Sequence, residues 1–132
     1  TVQDYDPGLG VTVPPSIEES GAAEEFRLAI ERTEEAYRKL KPDCGPAAAY
    51  VLTNAHRRRA LLKLNLRELY HVSRLRQDAT AQWDIRALAA DMSRAAREAF
   101  PLAGLMLGGK DAYPGLYAQA FGRPPRLIGG HH

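Results

Sequence analysis

Three arginines stand in a row at Arg57, Arg58 and Arg59, with His56 before them and Lys63 after, and this is the densest charge in the chain. On an extended segment successive side chains alternate between faces, so the three cannot all face solvent and at least one should meet a partner or ligand. A guanidinium offers fork-shaped donors suited to phosphate. The competing reading is a solvated basic edge that discourages pairing with another sheet. A second place for an anion follows at Asn65-Leu66-Arg67-Glu68. This is the layout of a capping box, with a side-chain acceptor at the helix start and a carboxylate three residues on. The free amides and positive dipole end of such a helix attract negative charge. Arg67 and His71 project from its first turns, and Arg76 closes its last. Other chemistries lack their patterns. His56 and His71 have no second histidine or carboxylate at metal-site spacing, and there is neither a Gly-rich phosphate loop nor a G-x-S-x-G elbow. The expected metal set is therefore none.

These residues need elements to hold them. Thr1 to Pro15 contains two Gly and three Pro, a mixture that disfavours helix and predicts an extended arm over residues 1–15. From Ser20, Phe26, Ile30, Thr33, Tyr37 and Leu40 recur at spacings of four and three, which predicts an amphipathic helix stopped by Pro42 and Gly45. Ala47 to Leu52 reads as a short helical or irregular run. Thr53 to Leu64 reads as an extended strand, because a fresh helix capped at Asn65 implies that something else precedes it.

The helix from Asn65 to Arg76 should pack through Leu66, Leu69, Tyr70 and Ser73, leaving Arg67, His71 and Arg74 on a basic face. After a turn at Gln77 to Thr80, Ala81, Ile85, Leu88, Met92, Ala95 and Ala99 form the expected inner stripe of a long helix ended by Pro101. An apolar connector, a short helix from Pro114 to Phe121 and a tail over residues 122–132 complete the chain. The expectation is α+β but mostly helical, with one or two short strands.

With 132 residues, 45% of them hydrophobic, the chain suits one compact core and reads as a single domain over 1–132. No stretch approaches the roughly 20 apolar residues of a membrane span, and the first residues lack a signal-peptide layout, so the expected compartment is the cytoplasm. Cys44 is the only cysteine, which excludes an internal disulfide. It reads as a small, partly buried residue beside a turn. The net charge of +2 is too small to argue for nucleic acid, but acidic residues dominate before Tyr37 and basic ones from Arg57 to Arg76. Thr1 in place of an initiator methionine suggests a processed chain or a piece of a longer one. His131 and His132 end a Gly-bearing tail and enter no metal argument.

The run Asn65-Leu66-Arg67-Glu68-Leu69-Tyr70-His71, with Leu75-Arg76 and then Ala81-Gln82-Trp83-Asp84-Ile85-Arg86, resembles the late segment of flavin-dependent thymidylate synthases. That segment reads N-x-R-x-L-x-(N/H)-F-x-x-L-R, a short gap, then A-Q-W-E-I-R. A looser likeness runs upstream through Tyr50-Val51-Leu52 to Val13-Pro14-Pro15-Ser16-Ile17. The resemblance implies methylation of dUMP to dTMP with methylenetetrahydrofolate as carbon donor and reduced FAD as hydride source, NADPH being a further co-substrate. It also implies a homotetramer whose sites are shared between subunits. It places Asn65 and Arg67 on FAD, His71 near the flavin and Arg76 on the uracil ring, where a permanent positive charge beside O2 and N3 favours a deprotonated, more nucleophilic pyrimidine. Trp83, Ile85 and Gln82 are expected to anchor the following helix.

Departures accompany the likeness. The family's R-H-R-x-x-S-x-N-x-x-S-x-R signature is absent and would lie upstream of Thr1; Ala49 stands where an arginine usually holds the dUMP phosphate; Thr80 replaces a histidine. Either Arg57 or Arg59 takes over the phosphate, or nucleotide binding has decayed. The leading expectation is thus the C-terminal part of a longer synthase, completed by an upstream domain. The alternatives are a noncatalytic oligomerisation or scaffold domain and, least supported because no stacking aromatics flank the arginines, a nucleic-acid binder.

Overall fold

A computed structural model describes residues 3–126 of the chain. The terminal tail expected over 122–132 lies outside these residues from position 127 on. The chain divides into two compact units, Thr1–Leu62 and Lys63–His132.

In the first unit the arm is extended except for a 3-10 turn at Pro7–Leu9, where the Asp6 carboxylate accepts the Gly8 N–H at 2.9 Å. It lies against the basic segment. The Thr12 N–H donates to Ala55 O at 2.8 Å, the Arg57 N–H to Gly10 O at 2.9 Å and the Gln3 N–H to Arg59 O at 3.0 Å, around an antiparallel bridge between Val11 and His56. The expected strands are therefore reduced, among the described residues, to isolated bridges. Proline at 7 and glycine at 8 and 10 explain this: the first lacks a donor, and Gly10 at φ 74° bends the partner away from a regular ladder.

Helix α1 spans Pro15–Glu19 and α2 spans Ala23–Cys44, burying Ile30 and Tyr37. Its exposed faces carry ion pairs one turn apart: Arg27 with Glu24 and Glu31, and Lys39 with Glu35 at 2.8 Å. Hydrogen bonds from Arg27 and Lys39 hold the Glu24 and Glu35 carboxyls below their ordinary range. The helix outlasts its expected stop at Pro42, which forfeits only one hydrogen bond when it sits in the last turn. Gly45, at φ 54°, ends it by returning its N–H to Lys41 O. Cys44 is exposed there, not partly buried as the sequence suggests. A 3-10 stretch, Gly45–Val51, follows and buries Ala48.

In the second unit α3 spans Leu66–Arg76, α4 Trp83–Ala99 and α5 Tyr113–Phe121. Helices α3 and α4 meet through Leu69 and Ser73 on one side and Ala89 and Ser93 on the other, all buried. Gln77 joins them: its side-chain amide donates to Ser73 Oγ and Ser93 Oγ, each at 2.6 Å, and to Ala89 O at 3.1 Å. The inner face of α4 differs from the expected stripe, since Leu88 is half-exposed and Ala95 and Ala99 are exposed. One residue turns a helix by about 100°, and the Ser93 hydroxyl, invisible to an apolar pattern, selects the rotated face. Beyond α4 the connector is pinned to α3. The Tyr70 hydroxyl donates to Ala103 O at 2.8 Å and accepts the Met106 N–H at 3.2 Å, while Leu107 is fully buried. No described helix is long and apolar enough to cross a membrane.

Candidate functional site

Asn65 caps α3 as its sequence predicts, its side-chain oxygen accepting the Glu68 N–H at 2.9 Å. The first N–H groups of α3 have no partner within the helix. Arg67, His71, Arg74 and Arg76 are all exposed, and among the described residues none has a recorded ion-pair or hydrogen-bond acceptor for its side chain. At about 100° per residue, Arg67, His71 and Arg74 fall within one narrow face of α3, whereas Arg76 lies about 140° round the helix from His71. The residues that the resemblance places on flavin and on uracil thus occupy opposite sides of one helix.

Ahead of α4, the turn expected at Gln77 to Thr80 is held by Asp78. Its carboxylate accepts the Thr80 hydroxyl at 2.7 Å and the Thr80 N–H at 3.0 Å, and it pairs with Lys110 at 3.3 Å. Those interactions, the Thr80 hydroxyl first, push the Asp78 pKa down to about 2. Thr80, standing where the related pattern has a histidine, is thus an anchor for this turn. Gln82 caps α4 through its side-chain oxygen and the Ile85 N–H at 3.2 Å.

The second unit carries a cleft of about 550 Å³, lined on the α3 side by Tyr70, His71 and Arg74 and on the other by Met106, Gly108, Gly109, Lys110 and Tyr113. Of the residues singled out for flavin, only His71 lines it.

The first unit has its own cleft, of about 680 Å³, in which Ala49 shares the wall with Tyr5, Tyr37, Lys41 and Arg58. Arg58 lies over the Tyr5 ring at 4.4 Å, with Nε donating to Gln3 O at 2.5 Å; Lys41 lies over Tyr37 at 5.4 Å. Arg57 and Arg59 do not line this cleft. Arg57 Nε donates to Thr12 Oγ1 at 3.2 Å, and the Arg59 backbone takes part in pairing with the arm. The alternation that separates Arg58 from its neighbours was legible, but which of the two faces bordered a cavity was not. Lys41 gave no signal, being one of several cations on α2.

His56 is buried beneath this segment. The Thr53 N–H donates to Nδ1 at 3.1 Å, and Nε2 lies 3.8 Å from Glu34 Oε1. Its surroundings mark a packing residue.

Over residues 2–102 the chain matches the family model described as thymidylate synthase complementing protein, and it belongs to that family. Among individual relatives it is 41% identical to the flavin-dependent thymidylate synthase of Geobacter sulfurreducens over 78 residues, covering 58% of this chain and 34% of that protein. It is 39% identical to the flavin-dependent thymidylate synthase of Sulfurisphaera tokodaii over 90 residues, covering 67% and 35%. A UPF0159 protein of Chlamydia muridarum is 29% identical over 86 residues, covering 65% and 16%. The chain matches about a third of the length of the two flavin-dependent relatives.

Proposed function

We propose that the chain acts as one domain, the C-terminal part of a cytoplasmic flavin-dependent thymidylate synthase that methylates dUMP to dTMP. Methylenetetrahydrofolate supplies the carbon, and bound FAD, reduced by NADPH, supplies the hydride. The observation that carries this reading is the capped start of α3 with Arg67 beside it, which supports the flavin contact that the resemblance implies for Asn65 and Arg67. The donor set suits the negatively charged pyrophosphate of FAD: the first backbone amides of α3, the Asn65 side-chain amide, the Arg67 guanidinium, which has no partner among the described residues, and His71 one turn on. Arg76, on the far face of α3, holds the uracil ring, and its charge favours the deprotonated pyrimidine. The nucleotide phosphate, which Ala49 cannot hold, falls to Arg57 or Arg59 of the basic segment, outside the cleft that Ala49 and Arg58 border.

The related R-H-R-x-x-S signature is missing from residues 1–132, so flavin and nucleotide both lack ligands in this chain alone. Those ligands come from an upstream domain of the same parent protein. A homo-oligomer places the two faces of α3 in different shared sites. The test is tritium release from labelled dUMP by the 132-residue chain with FAD, NADPH and methylenetetrahydrofolate. Release should equal a protein-free blank; turnover well above it would refute the incompleteness of the chain.

A second reading, a noncatalytic oligomerisation domain of the same fold, is favoured by the exposed Leu75, Leu88, Phe100 and Leu102. FAD titration separates the two. Binding supports the first reading, and none at all supports the second.

A further inference from the structure

We infer that the cleft between α3 and the connector leading to α5 binds a phosphomonoester carried on a planar ring, a ligand of mononucleotide size, with Arg74 and Lys110 taking the phosphate and Tyr113 the ring. The inference stands apart from the flavin reading. It shares only His71 with that reading, and Lys110 and Tyr113 lie beyond residues 2–102, where the family match ends.

The wall opposite α3 is built to stay in place. Tyr70 holds its start through Ala103 O and the Met106 N–H. Its far end is held at the 77–80 turn, where the Asp111 carboxylate accepts the Ala79 N–H at 3.0 Å and Lys110 pairs with Asp78. Gly109 packs so closely on that turn that a Cβ there would stand 2.6 Å from Gln77 O. Two fixed ends with an open cleft between them make a preformed site, and its volume of about 550 Å³ lies in the range of ligand pockets.

The charge is one-sided. Arg74 and Lys110 line the cleft beside His71, and no Asp or Glu among the described residues does. Asp78 accepts both Thr80 hydrogen bonds at one carboxylate oxygen and pairs with Lys110 through the other. Arg74 has no acceptor among the described residues. A guanidinium fork and a lysine point charge on facing walls match the spread oxygens of a phosphate. Tyr113, 42% exposed, is backed by Tyr117 at 5.9 Å between ring centroids, and Tyr117 by Phe121 at 4.6 Å. That ladder along α5 steadies an accessible ring face on which a second ring can stack.

Isothermal titration of the 132-residue chain with adenosine 5′-monophosphate, and separately with adenosine, tests the assignment. The phosphate form should bind at least about tenfold more tightly, since it alone engages the charge-assisted hydrogen bonds. Arg74→Ala should weaken it about tenfold to hundredfold. Lys110→Ala should do likewise while Lys110→Arg retains binding, and Arg32→Ala, at an exposed arginine of the first unit, should change nothing. Because Arg74 is exposed and makes no recorded contact through its charge, its removal leaves the fold intact, as a thermal melt would verify. Equal affinity for adenosine and its phosphate, no binding of either, or unchanged binding by Arg74→Ala would overturn the proposal. Loss of adenosine monophosphate binding in Arg74→Ala with FAD binding retained distinguishes this site from the flavin site.

Discussion

Arg67 and Asn65 occupy neighbouring positions at the start of α3 but answer to different tests. Arg67 is exposed with no acceptor among the described residues, so Arg67→Ala should leave thermal stability unchanged while weakening FAD about tenfold to hundredfold, the worth of one charge-assisted hydrogen bond. Fluorescence titration of both proteins reads this directly. Asn65→Ala confounds the two effects, because the Asn65 side chain also caps the helix, at a cost of about 0.5 to 2 kcal/mol if lost. Asp78 gives a residue-scale prediction in pH. Its folded pKa, about 2, lies below the ordinary 3.8, so its contribution to stability is present above about pH 4 and lost as pH falls toward 2. Asp78→Asn should lower the melting temperature at pH 6 and flatten its decline between pH 4 and pH 2. An unaltered pH profile in the variant would count against the Thr80 and Lys110 contacts.

At the scale of elements, the long helices could be read in advance because a single face repeats in each. Ile30 and Tyr37 are seven apart on α2 and both are buried, and the Asn65 cap appears where its Glu68 partner predicts. What could not be read depends on partners distant in sequence. The buried face of α4 follows from Ser93 meeting Gln77 and Ser73, sixteen and twenty residues earlier. The reduction of the strands to bridges follows from which residues of the arm oppose positions 55–59. The clefts belong to the same category. Arg74 was visible as part of a basic face, but only the packing of residues 103–113 gives that face an opposite wall.

This connector should be intolerant of change despite lacking a long helix. Leu107→Ala, removing a fully buried side chain, should cost about 2 to 5 kcal/mol. Gly109→Ala should also destabilise, because the backbone of Gln77 and Asp78 leaves no room for a methyl group. Urea titration of each variant checks both, and wild-type midpoints would mean that the connector is looser than its contacts imply.

For the molecule as a whole, the apolar residues left exposed bear on assembly. Leu75, Leu88, Phe100, Leu102 and Phe121 are each more than half exposed, a large apolar load for a chain of 132 residues, and self-association would cover part of it. Light scattering at high micromolar concentration should give a dimer or larger, and a strictly monomeric mass would oppose the oligomeric part of the proposal. The opposed faces of α3 carry a consequence for inheritance. Under the proposed function each site joins the His71 face of one copy to the Arg76 face of another. In a cell holding two defective alleles, His71→Ala and Arg76→Ala, mixed assemblies would gather both lesions into some sites and spare others. The pair would then support growth without added thymidine where neither allele does so alone.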